Sequence, residues 1–393
     1  MSFKVARRAL VPPFIVMDVM RDAAALEAAG RSIIHLEVGQ PSTGIPKAAA
    51  AKVGDILGRD PLGYTLASGL PALSQRITRH YQDTYGVVVA PDRIFATTGS
   101  SGGFVLAFLV AFEAGDRVAL AAPGYPAYRH ILTSLGVVPE LIEVDAASRY
   151  QPTVDHLKKM AKLPDGLIVA SPANPTGTVV PPDEFKELAV FCDRHGVRLI
   201  SDEIYHGITY GMPATTAAGV SESAIVVNSF SKYFSMTGWR LGWLVVPEAF
   251  KRPLECLAQN LFISPPTVSQ MGGLAVFDCK DELEANVARY ARNREVLLRR
   301  LPESGFEKFA PADGAFYIYA DVSSFGEDSA TFCARMLHEA GVATTPGIDF
   351  DPFKGDRFVR FSFAGSTPDM EEACDRLSKW RRNRARPGEP IAL

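Results

Sequence analysis

Four short polar runs carry the residues of greatest chemical capacity in this 393-residue sequence. They are Gly99-Ser100-Ser101-Gly102-Gly103, Asn174-Pro175-Thr176-Gly177, Asp202-Glu203-Ile204-Tyr205 and Ser229-Phe230-Ser231-Lys232. A glycine- and serine-rich turn that opens a helix presents unpaired backbone N–H groups and a positive dipole end, which is a seat for phosphate. Taken alone the first run reads equally well as a plain turn, and it matches neither a Walker loop nor a Gly-x-Gly-x-x-Gly fingerprint. A lysine buried near cations has a depressed pKa and serves as nucleophile and general base. By residue type alone, Asp202 suits a turn cap as well as a charge partner, and Arg360 a salt bridge as well as a carboxylate receptor. Tyr64 and Tyr125 suit packing as well as ligand contact.

The elements around these runs give them a common location. Arg93–Thr98, Val118–Ala121, Val137–Val144, Leu167–Ala170, Val197–Ser201, Ala224–Asn228 and Leu241–Val246 read as short apolar strands. Between two of them Pro181-Pro182-Asp183-Glu184 opens a helix, Phe185, Leu188, Ala189 and Cys192 share one face, and Gly196 closes it. Apolar strands alternating with amphipathic helices predict an α/β fold with a mostly parallel sheet covered on both faces. Each of the four runs then lies just past the carboxyl end of a strand, where open α/β sheets bind ligands. The ends of the chain read differently. Val16–Ala29 is a helix leading to a strand over Ile33–Val38, and beyond Asp281 come a long charged helix and strands over Gly314–Asp321 and Arg357–Phe363. This predicts a large domain over 41–284 and a smaller α+β domain formed by 1–40 and 285–393.

Ser229-Phe230-Ser231-Lys232, followed by Met236-Thr237-Gly238-Trp239-Arg240-Leu241-Gly242, closely resembles the lysine signature of class I/II aminotransferases, which belong to the fold-type-I pyridoxal-phosphate enzymes. The resemblance implies that Lys232 holds pyridoxal 5′-phosphate as a Schiff base and that Ser229 and Arg240 grip the phosphate, joined by Ser100, Ser101 and Gly102. It implies that Asn174 and Tyr205 meet the ring 3-oxygen, Asp202 the pyridine nitrogen, and Tyr125 the ring face. Tyr64, in Gly63-Tyr64-Thr65, resembles the tyrosine that reaches the phosphate of a neighbouring subunit, so a homodimer is implied. Arg360, in Val359-Arg360-Phe361-Ser362, resembles the receptor of the substrate α-carboxylate, with Gly39 and Asn174 beside it. The implied roles suit the chemistry. A carboxylate on the ring nitrogen keeps the ring an electron sink, and a planar guanidinium grips a carboxylate with two parallel hydrogen bonds. His206 follows Tyr205 directly, and in a strand it would point the other way, so it reads as structural.

The remaining features narrow the class. A net charge of −3 gives no reason to expect nucleic acid or an anionic membrane as partner. The basic run Lys379–Arg386 reads as a solvated helix end. Five cysteines without a Cys-x-x-Cys pair suggest neither a disulfide framework nor a zinc site, and the seven histidines show no metal-ligand spacing. Val11-Pro12-Pro13 interrupts any signal-like apolar stretch, and Phe104–Phe112 is too short to span a membrane, so a cytoplasmic protein is expected. Where some aspartate-specific relatives carry an arginine before a Pro-Pro pair, Ala258–Ser264 has none, which speaks against strict aspartate specificity. The expected activity is amino transfer from an L-amino acid to a 2-oxo acid. The alternatives are a pyridoxal-phosphate lyase or synthase acting at Cβ or Cγ, and a transcription-regulator module, for which no DNA-binding domain is expected before Val11.

Overall fold

In the computed structural model residues 3–384 are described. Strand β1 (Ile34–His35) comes first, and seven further strands make the central sheet. These are β2 (Ile94–Thr97), β3 (Arg117–Ala122), β4 (Val138–Glu143), β5 (Gly166–Ala170), β6 (Arg198–Asp202), β7 (Ile225–Ser229) and β8 (Gly242–Val245), in the order β2-β8-β7-β6-β5-β3-β4. The pairings β3–β4, β3–β5, β5–β6 and β6–β7 are parallel, while β8 runs antiparallel to both β2 and β7. The exception has a simple cause. Parallel neighbours need a crossover, usually a helix, whereas the link from Ser229 to Gly242 holds only the short 3₁₀ turn Thr237–Trp239 and doubles back.

Successive residues of the inner strands send side chains to opposite faces. Leu199 and Val226 join Leu73, Ile77, Leu188 and Trp243 in one core, while Ile200 and Val227 join Phe104, Phe108, Leu120 and Leu254 in the other. The helix Pro182–His195 shows how sequence builds these layers. Its buried residues are Phe185, Leu188, Ala189 and Cys192, and Gly196 ends it at φ +69°. Full burial of a large apolar side chain contributes roughly 1.5–3 kcal/mol, so this stripe is enough to seat the helix on the sheet.

A smaller antiparallel sheet combines β9 (Tyr317–Asp321), β11 (Thr345–Pro346) and β12 (Phe358–Ser362), while β10 (Val342–Ala343) pairs in parallel with β1. The strand expected over Ile33–Val38 is thus only two residues long. Beyond it the Leu36 carbonyl accepts from the Ser362 N–H at 2.7 Å, and the Glu37 carbonyl accepts from the Thr345 hydroxyl at 3.0 Å and from the Arg360 guanidinium. Backbone groups committed in this way cannot continue a ladder. Helix Thr367–Arg384 ends the described chain, so Ala385 and Arg386 of the expected basic helix end lie outside the described residues. Among the described residues no helix is long and apolar enough to cross a membrane.

Candidate active site

A cavity of ≈ 220 Å³ opens at the carboxyl ends of β5, β6 and β7, closed from the other side by Arg360 of β12 and Tyr317 of β9. Lys232 follows β7 and its Nζ donates to the Gly39 carbonyl at 2.6 Å. Burial, then the positive charges of Arg360 and Arg240, lower its pKa to about 8, against the opposing pull of Asp202. Asp202 ends β6, accepts from the Ile204 N–H at 3.0 Å through Oδ1, and accepts from the Tyr128 hydroxyl through Oδ2. Burial raises its pKa to about 6, with both hydrogen bonds and Lys232 holding it down.

Arg360 is 2% exposed, yet among the described residues no carboxylate pairs with it. Its Nη1 donates to Asn174 Oδ1 at 2.8 Å, its Nη2 to Thr345 Oγ1 at 3.1 Å and to the Glu37 carbonyl, and its Nε has no partner. The guanidinium carbon lies 4.5 Å from the Tyr317 ring centroid and 4.8 Å from that of Phe350. A buried cation without a carboxylate in contact is costly, and this one is held by neutral acceptors at the edge of a cavity, with Asp349 acting on it only through space. The arrangement is a receptor for an anion.

Opposite Arg360, Ser100 and Ser101 line the cavity in the first turn of helix Gly99–Ala111. The run expected as a turn before a helix is therefore the helix start itself, with Gly99 at φ +72°. A Cβ on Gly99 would lie 2.5 Å from Arg240 Nη2, so glycine here lets the guanidinium approach the helix N-terminus. Arg240 has φ +51°, donates from Nη1 to the Thr237 carbonyl at 3.0 Å, and lines the cavity. The two groups together form a second anion seat.

Three residues of the sequence reading do not line this cavity. Gly102 faces Thr98, whose Oγ1 would be 2.4 Å from a Cβ there. Ser229 is buried behind the wall and donates to Ser231 Oγ at 2.9 Å, so the Ser231 hydroxyl lines the cavity in its place. Tyr64 is 84% exposed, away from the cavity of its own chain. Tyr205, Tyr125, Asn174 and Gly39 are all brought to it. His206 does point away from the cavity, but not by strand alternation, because Ile204–Gly207 is a turn.

Sequence reasoning missed several lining residues. Tyr128 stands one helical turn after Tyr125 and meets its ring edge to face at 5.3 Å, and that spacing was the available signal. The Tyr317 hydroxyl lies 2.6 Å from that of Tyr205, and no sequence feature marked it. Phe14, just before the N-terminal helix Ile15–Ala28, and Val16, Met17 and Met20 within it supply an apolar wall, and the first N–H of the helix is held by Asp349 Oδ1 at 3.2 Å. Their spacing is that of ordinary core residues. Gly39 explains one close approach, since a Cβ there would lie 1.7 Å from the Tyr317 hydroxyl. Gly39→Ala is expected to fold but to displace Tyr317, raising the KM for amino acids roughly tenfold or more, about 1.4 kcal/mol. Steady-state kinetics beside a thermal melt checks this, and an unchanged KM would show that Tyr317 gives way freely.

An anion receptor, an amine of lowered pKa, a buried carboxylate and a helix-end anion seat now stand within one cavity. The family model for aminotransferase class I and II matches residues 31–377. The chain belongs to that family, and it is an enzyme that transfers an amino group between an amino acid and a 2-oxo acid. It is 50% identical to a valine–pyruvate aminotransferase of Mycobacterium tuberculosis, over 97% of this chain and 99% of the relative. The crystal structure of an aminotransferase from Mycobacterium tuberculosis superposes with a TM-score of 0.95 at 49% identity, covering 97% of this chain and 100% of that one. An aspartate aminotransferase from Thermus thermophilus with maleate gives 0.89 at 27% identity, covering 96% and 100%.

Proposed function

We propose that this cavity holds pyridoxal 5′-phosphate on Lys232 and takes amino donors with apolar side chains. The donor set suits that cofactor: an anion seat at Ser100, Ser101 and Arg240, backed by the Ser229–Ser231 hydroxyl pair, stands across from a buried carboxylate, Asp202. Bound there, the cofactor supplies a ring that accepts the electron pair left at Cα. Asp202 would hold the proton at the ring nitrogen, and Tyr205 and Asn174 would bind the 3-oxygen. Tyr125, which lines the cavity, would support the ring. Arg360 and Asn174 bind the α-carboxylate beside Gly39, and Lys232 Nζ takes the Cα proton and returns it.

The apolar wall of Phe14, Val16, Met17 and Met20 carries the substrate reading. The cations lining the cavity are Lys232, Arg240 and Arg360, and each has a role above. A side-chain carboxylate would therefore enter an apolar surface without a counter-charge, which is costly. The relative named for valine and pyruvate points the same way. Valine with pyruvate should give a kcat/KM at least about tenfold above that of aspartate with 2-oxoglutarate, and the reverse order would overturn the reading. Arg360→Lys keeps the charge but loses the planar fork, so the amino-acid Kd should rise roughly tenfold or more while cofactor content stays unchanged. An unaltered Kd would make Arg360 structural.

The working unit we infer is a homodimer in which Tyr64 reaches the partner's phosphate, a reading supported by its 84% exposure. Tyr64→Phe should lose cofactor faster on dialysis than the parent, and a fully active monomer by light scattering would end this idea. The division into 41–284 and 1–40 with 285–393 is supported by the pairing of β1 with β10, which ties the N-terminal segment to the smaller sheet region. Five free cysteines support a cytoplasmic setting.

A further inference from the structure

Two active-site motifs send neighbouring residues to opposite sides of one wall. Asp202, Tyr205 and Lys232 line the active-site cavity, whereas His206, Tyr233 and Phe234 line a second cavity of ≈ 420 Å³ behind it. Helix Pro71–Tyr85 and the start of helix Lys280–Arg300 close its other sides.

The inner surface is mostly aromatic, and both ring nitrogens of His206 are already satisfied. His206 Nε2 lies 3.0 Å from the Ser171 carbonyl, so that nitrogen carries the proton and Nδ1 accepts from the Tyr85 hydroxyl at 2.8 Å. The His80 ring centroid is 5.4 Å from that of Phe277 and 6.4 Å from that of the fully buried Trp243. Burial holds His80 at about 4 and His206 at about 3, so neither adds charge to the interior at neutral pH.

The mouth, by contrast, is charged with both signs. Arg76 lies 4.4 Å over the Phe277 ring, and Lys280 stands exposed at the rim. Asp83 and Glu284 are also exposed there, Glu284 accepting from the Tyr233 hydroxyl at 2.6 Å. An aromatic interior beneath two cations and two anions is complementary to a ring carrying both a carboxylate and an ammonium group.

We propose that this second cavity is a binding site for an aromatic amino acid, distinct from the catalytic site and separated from it by the backbone of 202–207 and 232–234. The ring lies against His80, Tyr85 and Tyr233, the lining rings that are partly exposed. The carboxylate meets Arg76 and Lys280, and the ammonium meets Asp83.

The test uses α-methyl-L-phenylalanine, which has no Cα proton to lose, titrated by calorimetry into the cofactor-loaded enzyme. Arg360→Leu removes the active-site carboxylate receptor, and binding should persist in that variant with a Kd within about threefold of its value at the second site of the parent. Adding Thr84→Trp, which fills the mouth from an exposed position, should weaken binding at least tenfold, and so should adding Lys280→Glu. The two mouth changes are independent, so misfolding of one leaves the other decisive. Binding absent from Arg360→Leu, or undiminished by either mouth substitution, would overturn the proposal.

Discussion

Lys232→Ala is expected to lower kcat for amino transfer by about a thousandfold or more, the loss following from removal of the group we propose as both nucleophile and base. The neighbouring charges make the argument specific to this lysine. Burial and the two guanidinium groups lower its pKa from 10.5 to about 8. At pH 7 that leaves about one molecule in ten as the free amine, against about one in three thousand for an unperturbed lysine. The sign of the pH dependence follows. Reaction of the cofactor-free protein with pyridoxal phosphate, trapped by borohydride, should speed up as pH rises and level off above about 8. Peptide mapping of the trapped product should place the pyridoxyl group on Lys232. A label on another lysine, or a rate still climbing steeply between pH 9 and 10, would remove Lys232 from this role.

The second large effect belongs to Asp202. Removing one partner of a buried charge pair costs about 3–5 kcal/mol, so Asp202→Ala should lower kcat by about a hundred- to a thousandfold or more while still retaining cofactor through the phosphate seat. The residue is poised between charge states. Burial raises its pKa to about 6, while the bonds from Tyr128 and the Ile204 N–H favour the charged form. Activity of the parent should therefore fall as pH drops through about 6, as the carboxylate takes up a proton. Tyr128→Phe removes one of the bonds that favour the anion, so the same fall should begin at higher pH. A pH–rate profile of Tyr128→Phe that overlays the parent, or a near-normal rate in Asp202→Ala, would count against this account.

Much of the scaffold was legible because burial leaves a periodic trace. The helix over Pro182–His195 shows its four buried residues and its closing glycine in the sequence, and the strands carry near-continuous apolar runs because both sheet faces are covered. The orientation of β8 was not legible, since an apolar strand reads the same in either direction. A long motif marked the residues around Lys232, but it did not show that Ser231 lines the cavity with Ser229 hydrogen-bonded behind it, because only the backbone path decides which hydroxyl faces the cavity. Tyr317, Met17 and Met20 were invisible for a different reason. Side chains that line a small apolar cavity have the composition of a core, and three-dimensional closure alone distinguishes the two.

The short segment from Glu37 to Gly39 holds one consequence. Its Glu37 carbonyl receives Arg360 and its Gly39 carbonyl receives Lys232 Nζ, so one stretch of backbone spaces the buried guanidinium from the amine. That stretch is in turn pinned by the Ser362 N–H and the Thr345 hydroxyl. On the roles we propose, that stretch would act as a ruler between carboxylate and amine, so compounds whose amino group sits further from the carboxylate are expected to fit less well.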